Sequence, residues 1–246
     1  MCFDSDSSPP IPVISGAAVS HDDLVLEAAD GNRFAAFRAA PDEQSDTGIV
    51  ILPDVRGLYR FYEELALRFA ERGYTAIAFD YFGRTAGIEK RPDDWDYMPH
   101  VRETTLEGVQ ADVAACVAEL RDGGASSIFT VGFCFGGRSS WAAAAFGHGL
   151  KGAIGFYGNP TTVMDHVARS EAPILALQAG DDQNITAEMN AALDAALTAA
   201  GVEHELVTYP GAPHSFFDRK QEEFAEASDD AWRRTLEFVK RYRVAA

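Results

Sequence analysis

Three side chains in this sequence have the type and the order to do covalent chemistry at a carbonyl carbon. The first sits in Val131-Gly132-Phe133-Cys134-Phe135-Gly136-Gly137, where a run of strand formers meets a helix-forming segment, SSWAAAAF. A G-x-nucleophile-x-G corner between strand and helix is so tight that its central residue takes a strained conformation. The flanking glycines keep neighbouring side chains from colliding there. Such a corner lifts the Cys134 sulfur clear at a helix N-terminus, where the positive dipole and free N–H groups favour thiolate over thiol. Downstream, PILALQAG runs into Asp181-Asp182, and HELVTYP runs into Gly211-Ala212-Pro213-His214-Ser215-Phe216. A histidine there can take the thiol proton, and a carboxylate can fix its tautomer and stabilise the imidazolium.

Taken alone, Cys134 reads as a small buried hydrophobe, since free cysteine is among the most buried residue types. His214 alone reads as a loop histidine capping a turn. The strand before, the helix after, both glycines and the chain order nucleophile–acid–histidine turn these readings toward catalysis. The remaining histidines (21, 100, 148, 166 and 204) fall near the N-terminus, in an insertion or at element ends, without matching partners.

Positioning these groups requires a sheet, and the pattern supplies one. Residues 24–28 and 33–39 read as a hairpin around Asp30-Gly31, and GIVILP (48–53) as a strand buried on both faces. After it, helices over 61–72, 103–121, 138–146, 186–200 and 229–242 alternate with strands over 75–80, 127–133, 152–157, 173–180 and 204–210. That alternation predicts an α/β fold, a mostly parallel central sheet with helices on both faces. Residues 1–23 read as an extended N-terminal arm and 24–246 as a single domain. The one irregular insertion, 81–102, follows a strand's carboxyl end, where functional loops of open α/β sheets gather.

Composition narrows the partners. The 246 residues carry 21 Lys+Arg against 38 Asp+Glu, a net charge of −17. That field repels nucleic acid and anionic membrane, so neither is an expected partner, and an anionic substrate would need a local positive group. No apolar run approaches the ~20 residues of a membrane span, and MCFDSDSSPPIP has no secretory pattern. Cys2, Cys116 and Cys134 make neither a disulfide framework nor a metal-ligand spacing, so the cytoplasm, without metal or cofactor, is the expected setting.

Gly-Phe-Cys-Phe-Gly-Gly, the Gly180-Asp181-Asp182 loop and Gly-Ala-Pro-His-Ser-Phe together resemble the dienelactone hydrolase (carboxymethylenebutenolidase) family over roughly residues 25–242. The resemblance implies an α/β-hydrolase fold and a Cys134–Asp182–His214 triad, with Asp181 the runner-up for the acid. It implies an oxyanion hole from the N–H groups of Val55 and Phe135. Asp54 matches a family glutamate implicated in holding the resting thiol, and Tyr157 matches a pocket tyrosine. Family members acting on dienelactone bind its carboxylate through arginines. Arg219 and, within the insertion, Arg91 are the candidates, with Arg84, Lys90 and Arg102 as alternatives and Trp95 and Tyr97 as an apolar wall. The implied activity is cofactor-free hydrolysis of an activated ester or small lactone through a thioester. Two other classes compete: an idle hydrolase scaffold serving as a receptor or interaction protein, and a redox-sensing thiol protein. The oligomeric state is not legible.

Overall fold

The computed structural model describes residues 7–92, 94–217 and 223–244. Strands β1 (Val19–Glu27) and β2 (Arg33–Pro41) form the expected antiparallel hairpin, with Glu27 opposite Arg33 and Gly31 at φ 81° in the turn. β1 starts at Val19, so the last residues of the expected arm belong to the sheet. Ser20 to Asp23 are polar and exposed, and only backbone pairing to β2 marks them as strand. Before them the chain lies on the domain: Ile11 is buried in the core, and the Ile14 N–H donates to the Glu71 carboxylate.

The remaining elements follow the predicted alternation. They are β3 (Thr47–Leu52), α1 (Arg60–Ala70), β4 (Thr75–Phe79), α2 (Gly83–Ala86), α3 (Met98–Glu103), α4 (Leu106–Asp122), β5 (Ser127–Phe133), α5 (Phe135–Ala143), β6 (Gly152–Phe156), β7 (Ile174–Asp181), α6 (Ala187–Ala200), β8 (His204–Pro213) and α7 (Ala225–Tyr242). The strands form one sheet in the order β1-β2-β4-β3-β5-β6-β7-β8, antiparallel at β1/β2 and β2/β4 and parallel elsewhere. The chain moves from β3 outward to β4, then returns to pair β5 on β3's other side. Strand order reverses there, and in open α/β sheets the crevice at such a point, beyond the strands' carboxyl ends, is where ligands bind. The loop after β3 and the corner after β5 both open into that crevice.

β3 shows how the sheet separates two cores. Ile49 and Ile51 face α1 and α7 with Phe61, Leu65 and Trp232, while Val50 and Leu52 face α4, α5 and α6 with Val113, Trp141 and Leu193. Both faces are apolar, which is why the strand reads as an unbroken apolar run. Each such side chain contributes about 1.5–3 kcal/mol on burial. No helix among the described residues is long and apolar enough to cross a membrane.

Candidate active site

Cys134 ends β5 and caps α5, at φ 54° and ψ −109°. α5 therefore begins directly after the cysteine, earlier than the expected start at 138, because Phe135-Gly136-Gly137 form its first turn. The strain is held by close backbone approach. A Cβ on Gly132 would lie 2.0 Å from the Gly136 carbonyl oxygen, and one on Gly136 would lie 2.0 Å from the Leu52 carbonyl oxygen. The Cys134 N–H donates to the Phe156 carbonyl at 2.9 Å, tying the corner to β6.

Strands β7 and β8 bring Asp182 and His214 together. Their register places Asp181 opposite Pro213, with an irregularity between Ala179 and Asp181, so the next residues on each strand, Asp182 and His214, lie side by side. His214 Nδ1 is 2.6 Å from Asp182 Oδ2. Asp182 Oδ1 accepts from the N–H groups of Asn184 (2.9 Å) and Ile185 (3.2 Å). Burial pushes the Asp182 carboxyl upward in pKa, but hydrogen bonds from His214 and the backbone outweigh it, and the net shift is downward. The carboxylate is thus held ionised beside the imidazole, and Nε2 becomes the ring nitrogen to serve a thiol. Asp181 is exposed, with Gln183 at 3.5 Å as its contact.

The loop after β3 is pinned residue by residue. The Tyr62 hydroxyl accepts from the Asp54 N–H (2.9 Å), Asp54 Oδ1 from the Arg56 N–H (2.8 Å), the Asp54 carbonyl from the Gly57 N–H (3.1 Å), and Asp80 from the Leu58 N–H (3.2 Å). The Tyr81 hydroxyl donates to the Pro53 carbonyl at 2.6 Å. The Val55 N–H has no acceptor among the described residues, and the Phe135 N–H is at the first helical position, where no intrahelical partner exists. These two donors have the form an oxyanion hole needs.

Strain also marks the surroundings. Among the described residues, the non-glycine positions with positive φ are Cys134, Tyr157 (φ 37°) and Ser215 (φ 66°), all bordering this site. Tyr157 is fully buried, its ring 5.0 Å from that of His214.

Two of the candidate site residues are engaged within the protein. The Asp54 side chain is wholly buried in an ion pair with Arg56 at 3.2 Å. Arg91, with its side chain 7% exposed, pairs with Asp80 at 3.2 Å and donates to the carbonyls of Ala86 and Gly87. It also lies over Trp95, at 4.8 Å from the ring centroid, so it anchors the insertion. Among the alternatives, the exposed Arg102 has no carboxylate within ion-pair distance among the described residues, whereas Arg84 pairs with Asp30 and Asp112, and Lys90 with Asp23 and Glu63. Carboxylates from distant elements neutralise the paired cations, which sequence order does not reveal. Arg219 lies outside the described residues. Sequence reasoning missed Asp80, whose carboxylate holds both the loop after β3 and the insertion.

A mostly parallel eight-stranded sheet with a strained cysteine corner after β5, and with Asp182 and His214 just past the ends of β7 and β8, has the form of an α/β-hydrolase. The profile of the dienelactone hydrolase family matches residues 34–243. The chain belongs to that family and is a carboxylic ester hydrolase. It is 30% identical to an Escherichia coli (strain K12) protein provisionally named carboxymethylenebutenolidase, across 94% of this chain and 93% of that one. It is 27% identical to the carboxymethylenebutenolidase of Rhodococcus opacus, across 98% and 97% of the two chains. A Klebsiella pneumoniae structure provisionally titled dienelactone hydrolase superposes with a TM-score of 0.80 at 25% identity, covering 92% of this chain and all of that one.

Proposed function

We propose that this chain hydrolyses activated esters or small lactones through a thioester on Cys134, with His214 as base and acid and Asp182 as its carboxylate partner. The observation that carries this reading is the 2.6 Å Asp182–His214 contact on the sheet edge where the Cys134 corner opens. The thiolate attacks the carbonyl carbon, and the oxygen, now negative, is received by the N–H groups of Val55 and Phe135. Collapse expels the leaving oxygen, which takes the proton held on His214. Water then gives a proton to the same nitrogen as it attacks the thioester, and the thiolate departs with release of the acid.

A thiolate is itself a better leaving group than a simple alkoxide, so attack returns to starting material unless the leaving oxygen is stabilised. Aryl esters and enol lactones meet that condition. The substrate is thus a small molecule, and the thiol chemistry suits a reducing compartment such as the cytoplasm. A redox role for Cys134 would call for a resolving thiol; Cys116 is fully buried in α4. The test is a series of p-nitrophenyl esters of different chain length beside dienelactones, run on wild type and Cys134→Ala. Turnover of the activated esters that vanishes in the variant is expected. Full turnover in Cys134→Ala would remove the reading.

A further inference from the structure

The Val55 N–H and the Asp54 carbonyl belong to one planar peptide unit, so whatever holds that carbonyl also aims the N–H. The Gly57 N–H donates to it at 3.1 Å, closing a turn over residues 54–57. Rotating the unit to point the Val55 N–H elsewhere would break that bond. The preceding unit is clamped at both ends by buried tyrosines. The Tyr81 hydroxyl donates to the Pro53 carbonyl at 2.6 Å, and the Tyr62 hydroxyl accepts from the Asp54 N–H at 2.9 Å. The downstream end of the turn rests on Asp80. Its Oδ1 accepts from the Leu58 N–H at 3.2 Å and presses on Gly57, where a Cβ would stand 2.2 Å from it.

Asp80 directly follows β4; it is 2% exposed, and its N–H donates to the Ala35 carbonyl of β2 at 2.9 Å. Its second oxygen, Oδ2, accepts from the Phe82 N–H at 3.3 Å and from the Arg91 guanidinium at 3.2 Å. Arg91 in turn gathers the insertion. It donates to the carbonyls of Ala86 and Gly87 and lies over Trp95, whose ring stacks on that of His100 at 4.8 Å. The desolvation of two buried charges can match their attraction, so such a pair is a poor device for stability alone. What it supplies here is a fixed position, because charge-assisted hydrogen bonds to one carboxylate are short and directional.

We propose that Asp80 is a positioning residue: through Arg91 it transmits the hold of the insertion to the turn that presents the Val55 N–H. The role rests on Cys134 being the nucleophile and Val55 its oxyanion donor. Such a donor acts on charge that develops in the transition state, so displacing it lowers kcat and leaves KM nearly unchanged. Changes within the insertion then reach the chemical step without touching the substrate.

Two reactions of the same sulfur separate this role from a merely structural one. Alkylation by iodoacetamide displaces iodide at a saturated carbon and forms no oxyanion, so its rate reads the thiolate and its access. Acylation by p-nitrophenyl acetate, followed as the burst of p-nitrophenolate, needs the oxyanion donors as well. Cys134→Ala corrects both rates for the other thiols. Asp80→Asn should lower the acylation/alkylation ratio about ten- to a hundredfold, the upper figure being the cost of misplacement by ~1 Å. Arg91→Met should lower it by less, because Leu58 keeps its acceptor, and Arg91→Lys should sit nearer wild type. The double variant Asp80→Asn/Arg91→Met leaves no buried charge unpaired, so it guards against a failure to fold. Its ratio should match that of Asp80→Asn, since both changes act through one linkage. With urea unfolding showing the variants folded, a ratio equal to that of wild type, or an equal fall in both rates, would overturn the positioning role. Persistent Cys134-dependent turnover would then leave the hydrolase reading standing. Wild type that is alkylated but never acylated would remove that reading, and the role of Asp80 with it.

Discussion

At the scale of residues, the proposed site would divide the labour of one reaction among groups that are each useless alone. A thiol without a base offers little nucleophile, and an imidazole without a fixed tautomer offers its proton to the wrong partner. Cys134→Ala and His214→Ala should therefore each lose about three orders of magnitude or more in kcat on an activated ester, and the double variant should be little worse than either. Stopped-flow and steady-state rates on folded protein check this; additive losses would show that the two residues do not act as a unit. The acid is tested by comparing two neighbours. Asp182→Asn removes the charge 2.6 Å from His214 Nδ1, whereas Asp181→Asn changes an exposed side chain. The first should depress kcat by about a hundredfold or more, given how strongly such a carboxylate supports its imidazole, and the second should leave it nearly intact. The reverse ranking would transfer the acid's role to Asp181.

At the scale of elements, the corner between β5 and α5 exists because three backbones meet without side chains between them. Gly136 packs against the end of β3, with the Leu52 carbonyl oxygen 2.0 Å and the Pro53 oxygen 2.3 Å from where a Cβ would stand. Neither obstacle is a flexible side-chain end, so the strands must part or α5 must tilt. Gly136→Ala should lose about 3 kcal/mol of stability, the upper part of the usual range for overpacking. It should also slow Cys134 alkylation by displacing the sulfur. Urea unfolding together with iodoacetamide labelling would decide the matter, and a variant as stable and as reactive as wild type would contradict the packing argument. By contrast Gly201, which closes α6 at φ 70° with open space around it, owes its place to backbone conformation alone.

At the scale of the whole molecule, buried titratable groups make stability depend on pH. His148 Nε2 meets Gln110 Oε1 at 3.0 Å, and Gln110 in turn donates to the Ser139 carbonyl on α5. Burial, aided by Arg121, lowers the His148 pKa from 6.5 to about 4. Between those values the unfolded chain binds a proton that the folded chain refuses. The contribution is therefore fully present above pH 6.5 and is lost as pH falls toward 4, by on the order of 3 kcal/mol. Asp182, lowered in the fold, adds a loss in the same direction at still lower pH. Burial raises the carboxyls of Asp80 and Asp112, which works the other way. The difference between wild type and His148→Gln isolates the imidazole: in a urea series from pH 7 to pH 4 the variant should show the shallower decline. Parallel curves would mean that His148 titrates alike folded and unfolded.

Much of this molecule follows from short-range rules that the chain obeys wherever it is read. The alternation of strands and helices, the apolar β3 and the glycine-flanked Cys134 are local, because periodicity and Cβ sterics act within a few residues. The order of cysteine, acid and histidine is legible too. What the tertiary structure alone decided lies where two distant segments meet. The β7/β8 register, with its irregularity beside Asp181, sets Asp182 rather than its neighbour against His214, since a shift of one residue turns a strand's side chains to the other face. The exposed polar start of β1 at Val19 is strand only because β2 pairs with it. Arg91 pairs with Asp80, eleven residues earlier, and Arg84 with Asp112 on α4, partners that the sequence does not announce. Whether a cation is already neutralised depends on carboxylates that only folding brings within reach, because charge pairing in three dimensions leaves no period in the chain.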